Sequence, residues 1–503
     1  MIKEHIKFSL LSIFFACSCI NSDVNRESEA KPNFIIFIAD DISWDDIGYL
    51  GNKLIKTPNI DKLFSEGLVF KNMYLTTSSC SPSRNSIITG RYPHNTGAPE
   101  LHTEPPMGMK TFVKGLKGNN YYTVSSGKFH MGDYARDGFD LIHEKIEVIG
   151  NGGEKKWVET LENRPKNRPF FFWFASLDAH RSWGENQFSK THNPQKINPP
   201  EYLIDDYATK KDLANYYDEI TRLDYYIGKV IKTLKKQSIY KNTVIMIMSD
   251  NGRPFPHSKT LLNDQGVKTP FVFVYKNENV MGETEALVSS IDIAPTILEL
   301  AGLKIGENYQ GKSFKKLLLN PTEPFRNFVF AEHNWHDFEA HERMVRSKDF
   351  MYIENRRNKF PQKGPLDVIN SDSYLSLLDA YEKGVLTKNQ EEIFISPRFK
   401  EELYEMKTDL YQRHNFINSK KYKNNIELLK SVLNQWKIET GDSEPREITK
   451  DWYERRPGPK AGKSLKNSTL NGPNSLVTEF HGKRGELPGA SNNAIRINNN
   501  GPF

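Results

Sequence analysis

Unbroken apolar runs that close on polar clusters set the pattern of the first half of the chain. "NFIIFIAD" (33–40) ends on Asp40 and Asp41, and "TVIMIMSDNG" (243–252) ends on Asp250 and Asn251. "FFFWFASLDAH" (170–180) repeats the design, and "YTVSSGKFH" (122–130) does so more weakly. Runs without alternation suit strands covered on both faces, as in a parallel sheet. Helical stretches lie between them. "TPNIDKLFSEG" opens with Thr57 as a cap and Pro58 at the first helical position, and residues 209–236 read as one long amphipathic helix. Alternating strands and helices predict an α/β fold with a mostly parallel sheet sandwiched by helices. Ligands bind such sheets beyond the carboxyl ends of the strands, where every polar cluster named above falls.

The pattern divides the chain. The main body spans 32–310. Around 304–325 the pattern loosens, and candidate strands "RNFVFAEH" and "MVRSKDFMYIEN" and a helix at about 420–439 then predict a smaller α+β subdomain over 325–445. Residues 446–503, rich in Gly, Asn and Pro from Arg455 onward, read as an irregular tail. At the other end, Lys3, His5 and Lys7 precede the short apolar core "FSLLSIFFA" (8–16), which falls well below the ~20 residues of a membrane span. The segment 1–19 therefore reads as an export signal. "FFACSC" resembles a bacterial lipoprotein cleavage box, with Cys17 or Cys19 as the lipidated residue and 20–31 as a tether. An ordinary cleaved signal is the other reading. The expected location is periplasmic or cell-surface, as a lipoprotein of a Gram-negative bacterium.

Composition narrows the function classes. The 503 residues carry 69 Lys+Arg against 63 Asp+Glu, a net charge of +6. Over this length such an excess argues against a nucleic-acid partner and is compatible with anionic substrates. A hydrophobic share of 37% and a mean hydropathy of −0.63 fit a globular chain with a large core. Of three cysteines, two lie in the leader, which leaves Cys80 as the lone thiol of the mature body. An unpaired thiol in an exported protein reads as reactive, against the plainer alternative of a buried structural cysteine.

Cys80 lies in "SSCSPSRNSIITGR" (78–91). Ser81 and Pro82 predict a helix start, with "RNSIITG" as the helix and Gly90 as its stop. Cys80 would then sit at the positive end of the helix, where free backbone N–H groups favour an anion, with Arg84 one turn inside. Asp40, Asp41, Asp250 and Asn251, each at a strand end, compose a hard all-oxygen metal site suited to Ca²⁺ or, less well, Mg²⁺.

Cys80-x-Pro82-Ser83-Arg84, followed by Thr89-Gly90-Arg91, resembles the signature of type I sulfatases. That resemblance implies an alkaline-phosphatase-like fold, oxidation of Cys80 to formylglycine by a formylglycine-generating enzyme, and one Ca²⁺ held by Asp40, Asp41, Asp250, Asn251 and residue 80. "GKFHMG" (127–132) is similar to the family motif that supplies Lys128 and His130. "LDAHRSW" (177–183) is similar to the segment that carries a further active-site histidine, here His180. "DNGRPFPHSK" (250–259) puts Lys259 where the family has a sulfate-binding cation. The likeness runs from about 32 to 440 and is nearest the N-sulfoglucosamine sulfohydrolase (sulfamidase) branch, through "SSCSPSR", "SDNGRPFP", "AHR", "ELYEMKTDLYQRHNF" and "LNQWKIETGD". It departs at Ala179, where the family has proline, at Lys259, where that branch has arginine, and at Asp264-Gln265-Gly266, where the family has Glu-Gly.

The resemblance implies a hydrated aldehyde at position 80 whose hydroxyl attacks sulfur. Arg84 and the metal hold it, Lys128 and Lys259 grip the sulfate oxygens, His130 takes a proton, and His180 protonates the leaving group. The implied substrate is a sulfated polysaccharide or its oligosaccharides, either an algal glycan such as ulvan or a glycosaminoglycan. Sulfamidase action on N-sulfated glucosamine, a formylglycine-dependent phosphonate or phosphate ester hydrolase, and a non-catalytic surface glycan-binding protein are the alternatives. His102, Glu104, His333 and His336 are candidate subsite residues by analogy, with His102 and His333 expected to act on the sugar rather than the sulfate.

Overall fold

In the computed structural model the chain divides into Met1–Lys31 and a unit beginning at Pro32, and the described residues are 31–359, 362 and 364–444. The readings placed on the leader, on the tether up to residue 30 and on the tail lie outside them. The unit from Pro32 is built on two sheets. The larger has eight strands: β1 (Asn33–Ala39), β2 (Leu68–Tyr74), β3 (Tyr122–Gly127), β4 (Leu141–His143), β5 (Phe170–Ala175), β6 (Thr243–Ser249), β7 (Val272–Val274) and β8 (Gly282–Ser289). Their order is β4-β3-β5-β1-β6-β7-β2-β8, and all neighbouring pairs are parallel except those made by β7. This is the mostly parallel sheet that the apolar runs predict.

β1 shows why its run has no alternation. Phe34, Ile36 and Ile38 pack into the core on one face of the sheet with Ile293 and Ile297. Ile35, Phe37 and Ala39 pack into the other with Ile220, Leu223 and Ile227. Successive side chains of a strand point to opposite faces, so a strand covered twice needs apolar residues at every position. The residues from 220 to 227 belong to the long helix Tyr207–Lys236, which Asp206 caps by accepting from Thr209 N at 2.8 Å. It begins two residues earlier than the periodicity places it. The helix Pro58–Glu66 also stands as read, but the Thr57 hydroxyl does not cap it. That hydroxyl accepts from Gly48 N at 3.0 Å and donates to Asp61 at 2.9 Å.

The smaller sheet runs β12-β11-β10-β9, antiparallel throughout: β9 (Val329–His336), β10 (Phe338–Arg346), β11 (Phe350–Asn355) and β12 (Glu401–Glu405). The single run read at "MVRSKDFMYIEN" is a hairpin of two strands turning at Ser347, whose N–H meets Phe350 O at 2.8 Å. The helix Lys423–Thr440 covers this sheet with Leu429, Leu433 and Trp436. Among the described residues no helix is long and apolar enough to cross a membrane.

Candidate active site

Strand register assembles the site. Ala39 lies opposite Ser249 across β1 and β6, and Ile38 lies opposite Ala175 across β1 and β5. Asp40, Asp41, Asp250, Asn251 and the Ser176–Asp178 turn therefore emerge along one edge. Backbone bonds seal it, from Asp40 N to Asp178 O at 2.8 Å and from Asp250 N to Ala39 O at 3.2 Å. Next along the sheet, Gly127 turns the chain at φ +112° so that Lys128 N can meet Ala175 O at 2.9 Å. A Cβ at Gly127 would stand 1.7 Å from Ala175 O, so only glycine fits there.

The helix that carries Cys80 runs from Cys80 to Thr89 with Ser79 at the cap position, two residues earlier than Ser81–Pro82 predicts. Ser79 does not cap it; its hydroxyl pairs with His336 Nδ1 at 2.8 Å. Gly90 ends the helix at φ +64°. All ten helical residues are buried, which points the N-terminal N–H groups into the interior beside the strand ends. Cys80 is the free cysteine of the described residues, and Sγ lies 3.7 Å from Asp40 Oδ1. Burial pushes its thiol pKa well above the ordinary value, so the unmodified side chain stays protonated.

One ligand atom each from Asp40, Asp41, Cys80 and Asp250 lie within 4.8 Å of one another. Asn251 Nδ2 donates to Asp41 Oδ1 at 2.5 Å and to Gly252 O at 3.0 Å, while its Oδ1 is buried without a partner. Three fully buried carboxylates beside an orphaned carbonyl oxygen form a donor set that a hard divalent cation would satisfy. These residues fit the expected ion. The sulfur is the one poor ligand for it, and a modified residue 80 presenting oxygen would complete the set.

Cations ring this cluster. Arg84 donates to Asp250 Oδ2 from Nε at 2.8 Å and reaches Lys128 O with the other arm at 2.8 Å. Lys128 Nζ donates to Asp40 Oδ2. Lys259 Nζ donates to Asp41 Oδ2 at 2.7 Å and to Asp367 Oδ2 at 2.8 Å. Burial works against each of these charges, and the neighbouring carboxylates more than offset it, so all three pKa values sit above their ordinary ones. The histidines divide. Burial, then the positive neighbours, pushes His130 well below its ordinary value and His102 down to about 4. His180 is one-third exposed, with Nε2 4.0 Å from Asp41 Oδ2 and 3.9 Å from Asp367 Oδ2. A cavity of about 400 Å³ opens beside Asp40, Lys128 and His180, and Asn151, Ser182 and Glu185 also line it.

The structure thus gathers Asp40, Asp41, Cys80, Arg84, Lys128, His180, Asp250, Asn251 and Lys259 into one constellation, buried except at Lys128 and His180. His130 joins it through His102, which lies against it at 3.0 Å. Glu104 is not aimed there: it accepts from Asp133 N at 3.1 Å and braces the turn that follows His130. His333 is buried on β9 opposite Glu342 and does not line the cavity. His336, the remaining subsite candidate, is buried against Ser79. Asp367 is the residue that sequence reasoning missed. It follows Pro365 and Leu366 in a segment without strand or long-helix periodicity, and nothing local connects it to Lys259, 108 positions away.

Residues 32–154 and 154–303 match the family model described as Sulfatase, and residues 256–359 match that described as N-sulphoglucosamine sulphohydrolase, C-terminal. The chain is similar to an ulvan-active sulfatase of Formosa agariphila, 28% identical over 82% of this chain and 76% of the relative. It is similar to the N-sulphoglucosamine sulphohydrolase of Homo sapiens, 27% identical over 82% of this chain and 91% of the relative. Among solved structures, one in complex with its substrate D-glucosamine-2-N,6-O-disulfate aligns at a TM-score of 0.62, with 20% identity over 81% of this chain and 98% of the other. The phosphonate monoester hydrolase of Agrobacterium radiobacter aligns at 0.63, with 15% identity over 81% of this chain and 95% of the other. At such identities these two speak for the fold alone, and the expected architecture is the one found.

Proposed function

The chain belongs to the sulfatase family and is a sulfuric ester hydrolase; from that premise we propose that it is exported and hydrolyses sulfate groups of a sulfated polysaccharide or its oligosaccharides. We place the reaction at residue 80, matured to formylglycine by a dedicated generating enzyme, beside one bound Ca²⁺. The observation that carries this reading is the junction of Cys80 with Asp40, Asp41 and Asp250, walled in by Arg84, Lys128 and Lys259. A thiol kept protonated by burial has little use as a nucleophile, whereas a precursor of a hydrated aldehyde needs no low pKa. The aldehyde hydrate would supply one hydroxyl to attack sulfur and a second to release the product, and the cation would supply charge neutralisation.

The chain's own residues do the rest. Lys128 and Lys259, both held as cations, offer N–H donors to the sulfate oxygens in a water-poor site. Arg84 fixes the Asp250 carboxylate and ties it to the backbone of Lys128, so the metal side and the sulfate side move as one piece. His180, the most accessible of these groups, lines the cavity where the leaving oxygen of a sugar would sit, and gives it a proton from Nε2. His130 and His102, both neutral near pH 7, form a hydrogen-bonded pair that can accept a proton from residue 80.

Ulvan and glycosaminoglycan esters are both proposed substrate classes, on the strength of the relatives, and N-sulfated glucosamine is a further one through the 256–359 match. A periplasmic or cell-surface lipoprotein anchored at Cys17 or Cys19 is the proposed location. The test is a desulfation screen over defined sulfated oligosaccharides, with aryl sulfate and aryl phosphonate alongside. Release of sulfate from at least one glycan, lost in Cys80→Ala, is expected. A preference for the phosphonate would instead favour the phosphonate hydrolase reading.

A further inference from the structure

Asp367 stands against two of the groups proposed to meet the sulfate ester, Lys259 and His180. Its Oδ2 accepts from Lys259 Nζ at 2.8 Å and lies 3.9 Å from His180 Nε2. The placement is held from several sides. Asp367 sits in the short helix Leu366–Ile369, whose Leu366 N donates to Asp337 Oδ2 at 2.9 Å. Leu366 packs on the cluster of Cys80, Leu101 and Trp335, and the β9 end is tied to the Cys80 helix through His336 and Ser79. The carboxylate is mostly buried and ionised: burial opposes its charge, and Lys259 and His180 more than restore it. Lys259 donates to Asp41 as well, so it stays paired with a carboxylate when the Asp367 charge is removed, although Asp367 is the larger of the two charges that hold it protonated.

Resting on the sulfatase reading, we propose that Asp367 is a specificity-determining residue that matches the anion pocket to the single charge of a sulfate ester and rejects dianionic phosphate esters. A sulfate monoester carries one negative charge, whereas a phosphate monoester carries close to two near pH 7, because its second pKa is ~6. A fixed carboxylate beside the bound group repels a ligand in proportion to that ligand's charge. The penalty is therefore about twice as large for the dianion, whatever cation the neighbouring carboxylates hold. Selectivity built from a repulsive element of this kind costs some affinity for the correct ligand and far more for the wrong one. The same repulsion speeds release of inorganic sulfate, which is itself a dianion.

Asp367→Asn removes the charge and keeps the size. The measurements are kcat/KM on an aryl sulfate and on the matching aryl phosphate, together with inhibition by inorganic sulfate and phosphate. In the variant, the sulfate-to-phosphate ratio of kcat/KM should fall about tenfold or more, and both inorganic dianions should inhibit about tenfold more tightly. Asp367→Glu, which restores the charge, should return the ratio toward that of the wild type. An equal loss on both esters with unchanged inhibition would make Asp367 a purely structural residue and overturn the proposal, as would an unmoved ratio. If Asp367→Asn does not fold, a ratio in Asp367→Glu that departs from wild type as far as tenfold overturns it equally. Wild type without activity on any sulfate ester would instead sink the sulfatase reading itself.

Discussion

His102 Nδ1 lies 3.0 Å from His130 Nε2, with the ring centroids 5.0 Å apart. Both rings are half-buried and neutral near pH 7, so one must donate and the other accept. This joins a residue expected to touch the sugar to one expected to act at the sulfate. His102→Ala should therefore lower kcat on a small aryl sulfate about tenfold, since it leaves a buried ring nitrogen unpaired. A change confined to KM on oligosaccharides would show that the pair has no part in the chemistry.

Cys80 fills space between Leu101 and Trp335 as well as facing Asp40. Cys80→Ala should abolish turnover at a stability cost of only about 1 kcal/mol, because a single heavy atom is lost from the core. Thermal unfolding and steady-state rates measured on one preparation separate the two effects.

Asp250 holds Arg84 and belongs to the acidic cluster. Added Ca²⁺ should raise the melting temperature of the wild type, with about 2.7 kcal/mol gained when the ion is at 100 times its Kd. In Asp250→Ala, both this shift and the activity should disappear. A wild type whose melting point and rate ignore chelator and added Ca²⁺ alike would rule out the ion.

His333 is buried on β9, and its pKa is pushed down to about 4 chiefly by burial, with Arg398 and Arg343 adding to the effect and Glu342 and Glu332 opposing it. Its folded value lies below its unfolded value of ~6.5, so the stability it contributes is present above pH 6.5 and lost as pH falls toward 4. Between pH 7 and pH 5 the wild type should lose about 2 kcal/mol from this group. Urea unfolding of His333→Gln at both pH values should show a correspondingly smaller drop.

Glu185 and Asn151 line the cavity and are not among the groups that surround Cys80. Truncating Glu185 to alanine should raise KM for an oligosaccharide about fivefold with kcat little changed, the pattern of lost uniform binding. On an aryl sulfate, which has no sugar to hold, it should do nothing. Equal damage on both substrates would place Glu185 in the chemistry instead.

Much of the site was legible because its residues sit at strand ends, and strands covered on both faces announce themselves. Asp40, Asp250 and Lys128 each follow an apolar run, and strand register alone brings them together. Cys80 was legible through its motif, although the helix begins at Cys80 itself and not two residues later. The hairpin β10–β11 was read as one run because Arg346 and Phe350 flank a turn with no Gly or Pro to mark it. His102 and Asp367 depend on contacts between segments 28 and 108 positions apart, for which neither periodicity nor local spacing carries a signal. Glu104 and His333 are pocket candidates by analogy alone, and tertiary packing gives both structural work.

The account rests on residue 80, and the most direct test is mass analysis of the peptide containing it, taken from enzyme that is actively releasing sulfate. The account predicts the mass of formylglycine at that position, in a fraction that tracks specific activity from one preparation to the next. Fully active enzyme carrying an unmodified cysteine there would contradict it.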